Sequence, residues 1–274
     1  MRAPVGQVLP QRHGPVTGHW VQLGLAPTGS PPRALFGDLA ALVREWRARQ
    51  VVEDFFFMHK PPGIRARFAP APGRAAIVRA ELRGLVRGWC ATGLVAGVEP
   101  GVYEPEEARF GGPGPMDHAH RMFTVDAVTW LEFHARPRQT PAWALSLAML
   151  RAVFDAMAVD SGREQAIGAR IAAAGRLVPR EVTGAAAVVA GLRAWWHRPG
   201  ALREDEVRRL AAAHAAQVTP LAAAWAAALR DGDVDEALAW YVVFHWNRGA
   251  LSFGRQALLT EALSAVDWSR RDVC

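Results

Sequence analysis

The sequence predicts an α+β fold, with a mostly antiparallel sheet and flanking helices in its first half and a helical second half. Three observations carry this. Extended segments bounded by Gly and Pro are confined to the region before the "YEPE" motif. A Pro-Pro-Gly triplet joins two of them, which marks a hairpin. From Pro141 onward, runs of helix formers punctuated by Gly or Pro follow one another. We expect one domain over residues 1–274 with a sub-boundary near residue 140.

The elements follow in order. "HWVQLGLAP" (His19 to Pro27) alternates and reads as a strand. "GSPPRALFGDLAALVREWRARQ" opens with turn residues, then spaces Leu35, Leu39, Leu42, Val43 and Trp46 as an amphipathic helix does. "VVEDFFFMHK" is a strand, and "GIRARFAP" is its partner across Pro61-Pro62-Gly63. "RAAIVRAELRGLVRGWCATG" is a helix ended by Gly93, with Cys90 in its core. "LVAGVEPGVYEPE" is extended, and "GGPGP" (Gly111 to Pro115) is a rigid loop before a helix capped by Asp117. Five helical runs complete the chain: "PAWALSLAMLRAVFDAMAV", "GAAAVVAGLRAWWHR", "REDEVRRLAAAHAAQ", "PLAAAWAAALRDG" and "VDEALAWYVVFHWNRG". No internal period indicates a solenoid.

Composition narrows the class. Apolar residues make up 51%, so the chain has the means to build a core and is not a disordered one. The net charge is +6, carried almost wholly by arginine, since Lys60 is the only lysine. Scarce Lys beside abundant Ala, Gly, Pro and Arg reads as compositional bias. No basic block occurs, so we expect no nucleic acid partner. Two cysteines cannot form a disulfide framework, which suits a reduced, cytoplasmic protein. No apolar run fits a signal peptide or a membrane span.

The common catalytic signatures are missing: no G-x-S-x-G, no H-E-x-x-H, no C-x-x-C and no P-loop. In "DHAH", His118 and His120 are two apart and share no helix face, so they read as solvated histidines and no metal is expected. "FHWNRGALSF" places His245, Asn247 and Arg248 within one turn of a helix end that Gly249 caps. Either Arg248 complements the helix dipole and His245 is a satisfied core histidine, or the helix delivers both into a cavity as anion binder and proton donor. "GVYEPEEARFGG" offers Tyr103, Glu104 and Arg109. A Glu-Arg pair there either stitches sheet to helix or presents a preorganised fork to a carbonyl or carboxylate.

Three motifs in order now bear on identity: the Phe-rich strand turning into "R-x-R-F" (Arg65, Arg67), then "YEPEEARFGG", then "HWNR". Together, from Trp20 to about Leu263, they resemble the C-terminal domain of lantibiotic dehydratases and its stand-alone relatives in thiopeptide biosynthesis. The resemblance implies one of two chemistries. One branch eliminates glutamate from glutamylated Ser or Thr. The other joins two dehydroalanines by a formal [4+2] aza-cycloaddition to give a pyridine. Eliminating members resemble "F-x-R-Y-x-D-P-x-x-H-L-R-L-R-F", with the first Arg handling the glutamate carboxylate. Here Met58 stands at that place, and the "KPPG" turn looks more like the pyridine synthases.

The favoured implication is thus a pyridine synthase, without cofactor, acting on a ribosomal precursor peptide with a leader and a dehydrated, azole-bearing core. The alternatives are a glutamate-elimination lyase and a non-catalytic peptide-binding scaffold. On this reading Tyr103, His245 and Ser252 transfer protons or hydrogen-bond. His59, Arg65, Arg67, Glu104, Arg109, Asn247 and Arg248 bind the peptide. Met58→Arg is expected to disturb the site without impairing folding.

Overall fold

The computed structural model describes residues 20–176, 185–197, 202–230 and 233–264. Its first half is β1 (Val21–Pro27), α1 (Arg33–Ala48), β2 (Val52–Lys60), β3 (Gly63–Pro70), α2 (Ala75–Ala91) and β4 (Val95–Gly101). A 3₁₀ turn (Glu107–Phe110) leads into α3 (Pro113–His134). Helices follow: α4 (Ala142–Ala156), α5 (Ser161–Ala173), α6 (Ala185–His197), α7 (Asp205–Ala228), α8 (Val234–Arg248) and α9 (Phe253–Ser264). The α+β expectation holds.

The sheet is antiparallel throughout, in the order β2-β3-β1-β4. The β2–β3 hairpin closes with Lys60 opposite Gly63, as the Pro-Pro-Gly triplet requires. Gly63 is forced to be small, because a Cβ there would lie 2.5 Å from Pro27 Cδ and 2.9 Å from the Leu25 carbonyl oxygen. The pleat then sorts the side chains. Phe57 packs on Phe36 of α1 at 5.9 Å between ring centroids, and Phe68 packs on Trp46 at 5.5 Å. Phe56, on the opposite face, meets Phe123 of α3 at 5.3 Å. The sheet is therefore sandwiched between helices, and α3 runs against β2, α7 and α8. One continuous core extends from Leu25 to Leu263.

Several expectations need correction. Cys90 is exposed, because α2 buries Val78, Leu82 and Trp89, and Cys90 lies about 100° further round the helix. Asp117 does not cap α3. Gly112 does, and Pro113 starts the helix with its φ already set, five residues earlier than expected. The two runs around Pro220 form one helix, α7. Pro220 is exposed, so the carbonyl it leaves unpaired can be hydrated. Helices α5 and α9 were not anticipated. Gly93 does end α2, with φ 71° just past the cap. Gly249 differs: it is the cap residue of α8, but its φ is −70°.

Candidate functional site

The face of the sheet opposite α1 carries Phe56, Met58, Arg65, Arg67 and Gln22. Gln22 and Arg67 are register partners, as are Met58 and Arg65. Arg67 is buried, and its Nε donates to Gln22 Oε1 at 2.7 Å. Its guanidinium lies 4.8 Å from the Phe56 ring centroid and 4.6 Å from that of Tyr103. Gln22 in turn donates to the Val102 carbonyl at 3.2 Å, tethering the segment that carries Tyr103. Among the described residues, the terminal nitrogens of Arg67 make no hydrogen bond.

Tyr103 Oη sits 2.8 Å from His120 Nε2. Trp20 covers this pair, with ring centroids 5.1 Å from Tyr103 and 4.7 Å from His120. His120 is 5% exposed, which overturns its reading as a solvated histidine. Burial, assisted by the Arg67 charge, pushes His120 down to about 4. Burial raises the Tyr103 phenol well above its ordinary value, although Arg67 opposes this. Burial lowers Arg67 to about 10, so it stays charged at neutral pH. The site thus holds a neutral Tyr–His hydrogen-bonded pair beside a cation.

Beneath lies a sealed polar layer. Arg248 and His245, one turn apart on α8, face the same way and share Asp126 of α3. Arg248 Nε donates to Asp126 Oδ2 at 2.5 Å, and His245 Nδ1 lies 2.6 Å from Oδ1. Ser146 of α4 is 2.9 Å from His245 Nε2. All four side chains are 0% exposed. Nδ1 cannot both donate to Asp126 and accept from Trp130 Nε1 at 3.3 Å, and the shorter contact to a carboxylate decides for donation. Nε2 therefore accepts from Ser146 Oγ. Burial alone would push the Asp126 carboxyl up, but His245 and Arg248, both hydrogen-bonded to it, hold it well below the usual range. Burial lowers His245 more than Asp126 raises it, so we assign the ion pair to Arg248 and treat His245 as neutral. The Ser-His-Asp series has the distances of a hydrolytic triad, yet its complete enclosure denies Ser146 the access a nucleophile needs.

The two layers meet at Met58 and Phe123. Arg248 Nη1 is 4.0 Å from Met58 Sδ, and its guanidinium stands 4.6 Å from the Phe123 centroid. Its Nη2 is buried without a partner. Arg67 is close enough to Arg248 for the two charges to oppose each other.

The other expected residues are placed elsewhere. His245 does not enter a cavity but is a satisfied core histidine. Arg248 is an interior cation and not a surface complement to the helix dipole. Arg109 pairs with Glu106 and not with Glu104, which is exposed, and stacks 3.8 Å from the Trp240 centroid. Arg65 donates to the Pro61 carbonyl at 3.3 Å and so braces the hairpin turn. His59 points to the other face of the sheet, 6.1 Å from the His134 ring. Asn247 turns toward α9, where it accepts from Gln256 at 3.3 Å. Ser252 is exposed and caps α9 through the Arg255 N–H at 3.4 Å. Met58 is 2% exposed against a buried guanidinium, so arginine there would not be innocuous to folding.

Sequence reasoning missed His120, Asp126 and Ser146. Asp126 left a signal: an acid inside the apolar run "MFTVDAVTW" demands a counter-charge.

No curated protein sequence matches the chain. The solved structure of the tRNA dependent lantibiotic dehydratase MibB from Microbispora sp. 107891 superposes with a TM-score of 0.67 at 18% identity. The match covers 94% of this chain but only 28% of that protein, so the likeness is one of fold to part of a larger enzyme. The family model for the lantibiotic biosynthesis dehydratase C-term matches residues 20–266, nearly the whole of this fold, and the chain belongs to that family.

Proposed function

We propose that the chain forms a pyridine within a ribosomal precursor peptide from two dehydroalanines. The observation that carries this is the neutral Tyr103–His120 pair, 2.8 Å apart beside Arg67 on the sheet face. The reaction starts by converting a peptide amide into its iminol, which moves a proton from nitrogen to oxygen. A phenol and an imidazole, both neutral and hydrogen-bonded, suit that exchange: one delivers a proton to the oxygen while the other takes one from nitrogen. The iminol and the adjoining dehydroalanine form a 2-azadiene, and the second dehydroalanine is the dienophile. Two C–C bonds form. Water then leaves from the former amide carbon, and the leader departs as a carboxamide, which completes the ring without an oxidant. Arg67 holds a peptide carbonyl, and fixing the two ends together supplies up to about 7–11 kcal/mol of the barrier. Met58, in place of an arginine, adds no further charge between Arg65 and Arg248, as suits a neutral dehydrated peptide.

One observation favours a second reading. Among the described residues only Nε of Arg67 is hydrogen-bonded, to Gln22, which leaves its terminal nitrogens to suit a carboxylate, as a glutamate-eliminating lyase requires. Incubating the protein with two peptides separates the two. A peptide with two dehydroalanines should yield a macrocycle and a leader amide by mass spectrometry. Release of free glutamate from a glutamylated peptide, with the first peptide unchanged, would establish the second reading instead.

A further inference from the structure

We propose that the trough between α6 and α9 is a docking surface for an acidic amphipathic helix of a partner. Helix α6 reads "AAAVVAGLRAWWH", and a helix so apolar is ordinarily covered, yet Trp196 is its only buried residue. Val188 on it is 49% exposed. Helix α6 packs on α9 and touches α4 only lightly, which leaves an open cavity of about 440 Å³. That volume lies within the range of about 300–1,000 Å³ found for binding sites. Trp143 of α4 forms one side, and its ring meets Trp195 of α6 edge-on at 6.0 Å between centroids. None of these three helices carries Tyr103, His120 or Arg67, so the trough is separate from the sheet-face site and does not depend on the reaction proposed for it.

Shape and charge select the occupant. The walls are two stripes at helical spacing: Val188 and Leu192 on α6, and Arg255, Leu258 and Leu259 on α9. Two such ridges flank a seat for a third helix, whose apolar residues at i, i+3, i+4 and i+7 enter between them. Gly191 supplies depth, because a Cβ there would meet nothing within 4 Å. The one charge on the walls is Arg255. Among the described residues its guanidinium makes no hydrogen bond or ion pair, and only its backbone N–H is engaged, by Ser252. No acid lines the trough, so the guanidinium is left for an incoming carboxylate. A second copy of the chain fits badly, since twofold pairing would bring one Arg255 toward another within an apolar seam. An acidic helix satisfies the apolar stripe and the cation together, and the net charge of +6 favours its approach.

The test is fluorescence anisotropy with the full chain and a fluorescein-labelled, end-capped peptide of three heptads, Leu at a and d and Glu at e and g, kept dilute so that it stays monomeric. A twin carries Lys in place of Glu. The acidic peptide should bind saturably and the twin at least about tenfold more weakly. Gly191→Leu puts a better helix former into α6, so Tm should hold or rise, while its side chain occupies the seat and weakens binding at least about tenfold. Arg255→Glu should weaken the acidic peptide about fivefold and tighten the twin. Absence of saturable binding, equal affinity for the twin, or a folded Gly191→Leu that binds like wild type overturns the proposal. If Gly191→Leu does not fold, the exchange of preference in Arg255→Glu decides: its failure overturns the proposal. Sedimentation of the chain alone covers the remaining occupant. A dimer in the wild type that Gly191→Leu abolishes would assign the trough to a second copy and overturn the acidic helix.

Discussion

Replacing Gly249 by alanine sets two effects against each other, and the geometry says which wins. Gly249 has a φ of −70°, so alanine fits its backbone without strain. Removing glycine's freedom in the unfolded chain should then stabilise by about 0.4–1 kcal/mol. The space decides otherwise. A Cβ at Gly249 would sit 2.7 Å from Trp130 Cζ2 and 2.9 Å from Cη2. Trp130 is fully buried, stacked on His134, with its Nε1 3.3 Å from His245, so its ring has nowhere to swing. Overpacking of this kind costs about 1–3 kcal/mol, which exceeds the entropic gain. For a chain of this size that steric cost corresponds to a fall in Tm of about 2–12 °C, offset in part by the gain. The exposed Gly88 of α2, where a Cβ meets nothing within 4 Å, is the control: Gly88→Ala should raise Tm. Thermal unfolding followed by circular dichroism reads both. A Tm for Gly249→Ala equal to or above wild type would refute the steric reasoning.

Further outcomes follow from the same geometry. Met58→Arg should destabilise by about 3–5 kcal/mol in urea titration, because it buries a second guanidinium without a counter-charge beside Arg248, whereas Met58→Leu should cost less than about 1.5 kcal/mol. Tyr103→Phe keeps the rings that pack on Trp20 and Arg67 but removes the bond to His120, so stability should change by about 1 kcal/mol while turnover falls about 100-fold or more. His120 and His134 both titrate near 4 in the fold, below an ordinary value of 6.5, so their contribution is complete above about pH 6.5 and is lost as pH falls toward 4. Between pH 7 and pH 5 the loss should reach about 1–2 kcal/mol per histidine, and His120→Gln should flatten the curve. Asp54, raised by burial, works in the opposite sense at lower pH and limits the total change.

The hairpin and its turn were legible because the chemistry is local: a Pro-Pro-Gly triplet leaves few ways to continue, and Lys60 indeed faces Gly63. The end of α2 was legible for the same reason, since Gly93 alone there can take a left-handed φ at no cost. The site was half legible. Tyr103, Arg67 and Arg248 stand out by motif, but their partners lie far off along the chain. Asp126 precedes Arg248 by 122 positions, and Ser146 precedes His245 by 99. Nothing in the spacing of "DHAH" tells His120 from His118. The difference is the phase of α3, which Pro113 sets and which turns His120 toward Phe56 and Tyr103. Pro220 misled for a related reason: a proline ends a helix only where its lost hydrogen bond cannot be made good by water.

The most direct measurement is a single-turnover time course, by mass spectrometry, of a precursor peptide with two dehydroalanines, run with the wild type and with Tyr103→Phe. The account predicts a macrocycle and an equal amount of leader carboxamide from the wild type, and near silence from a variant that is equally well folded. Unchanged peptide with the wild type, or equal rates with the two proteins, would contradict it.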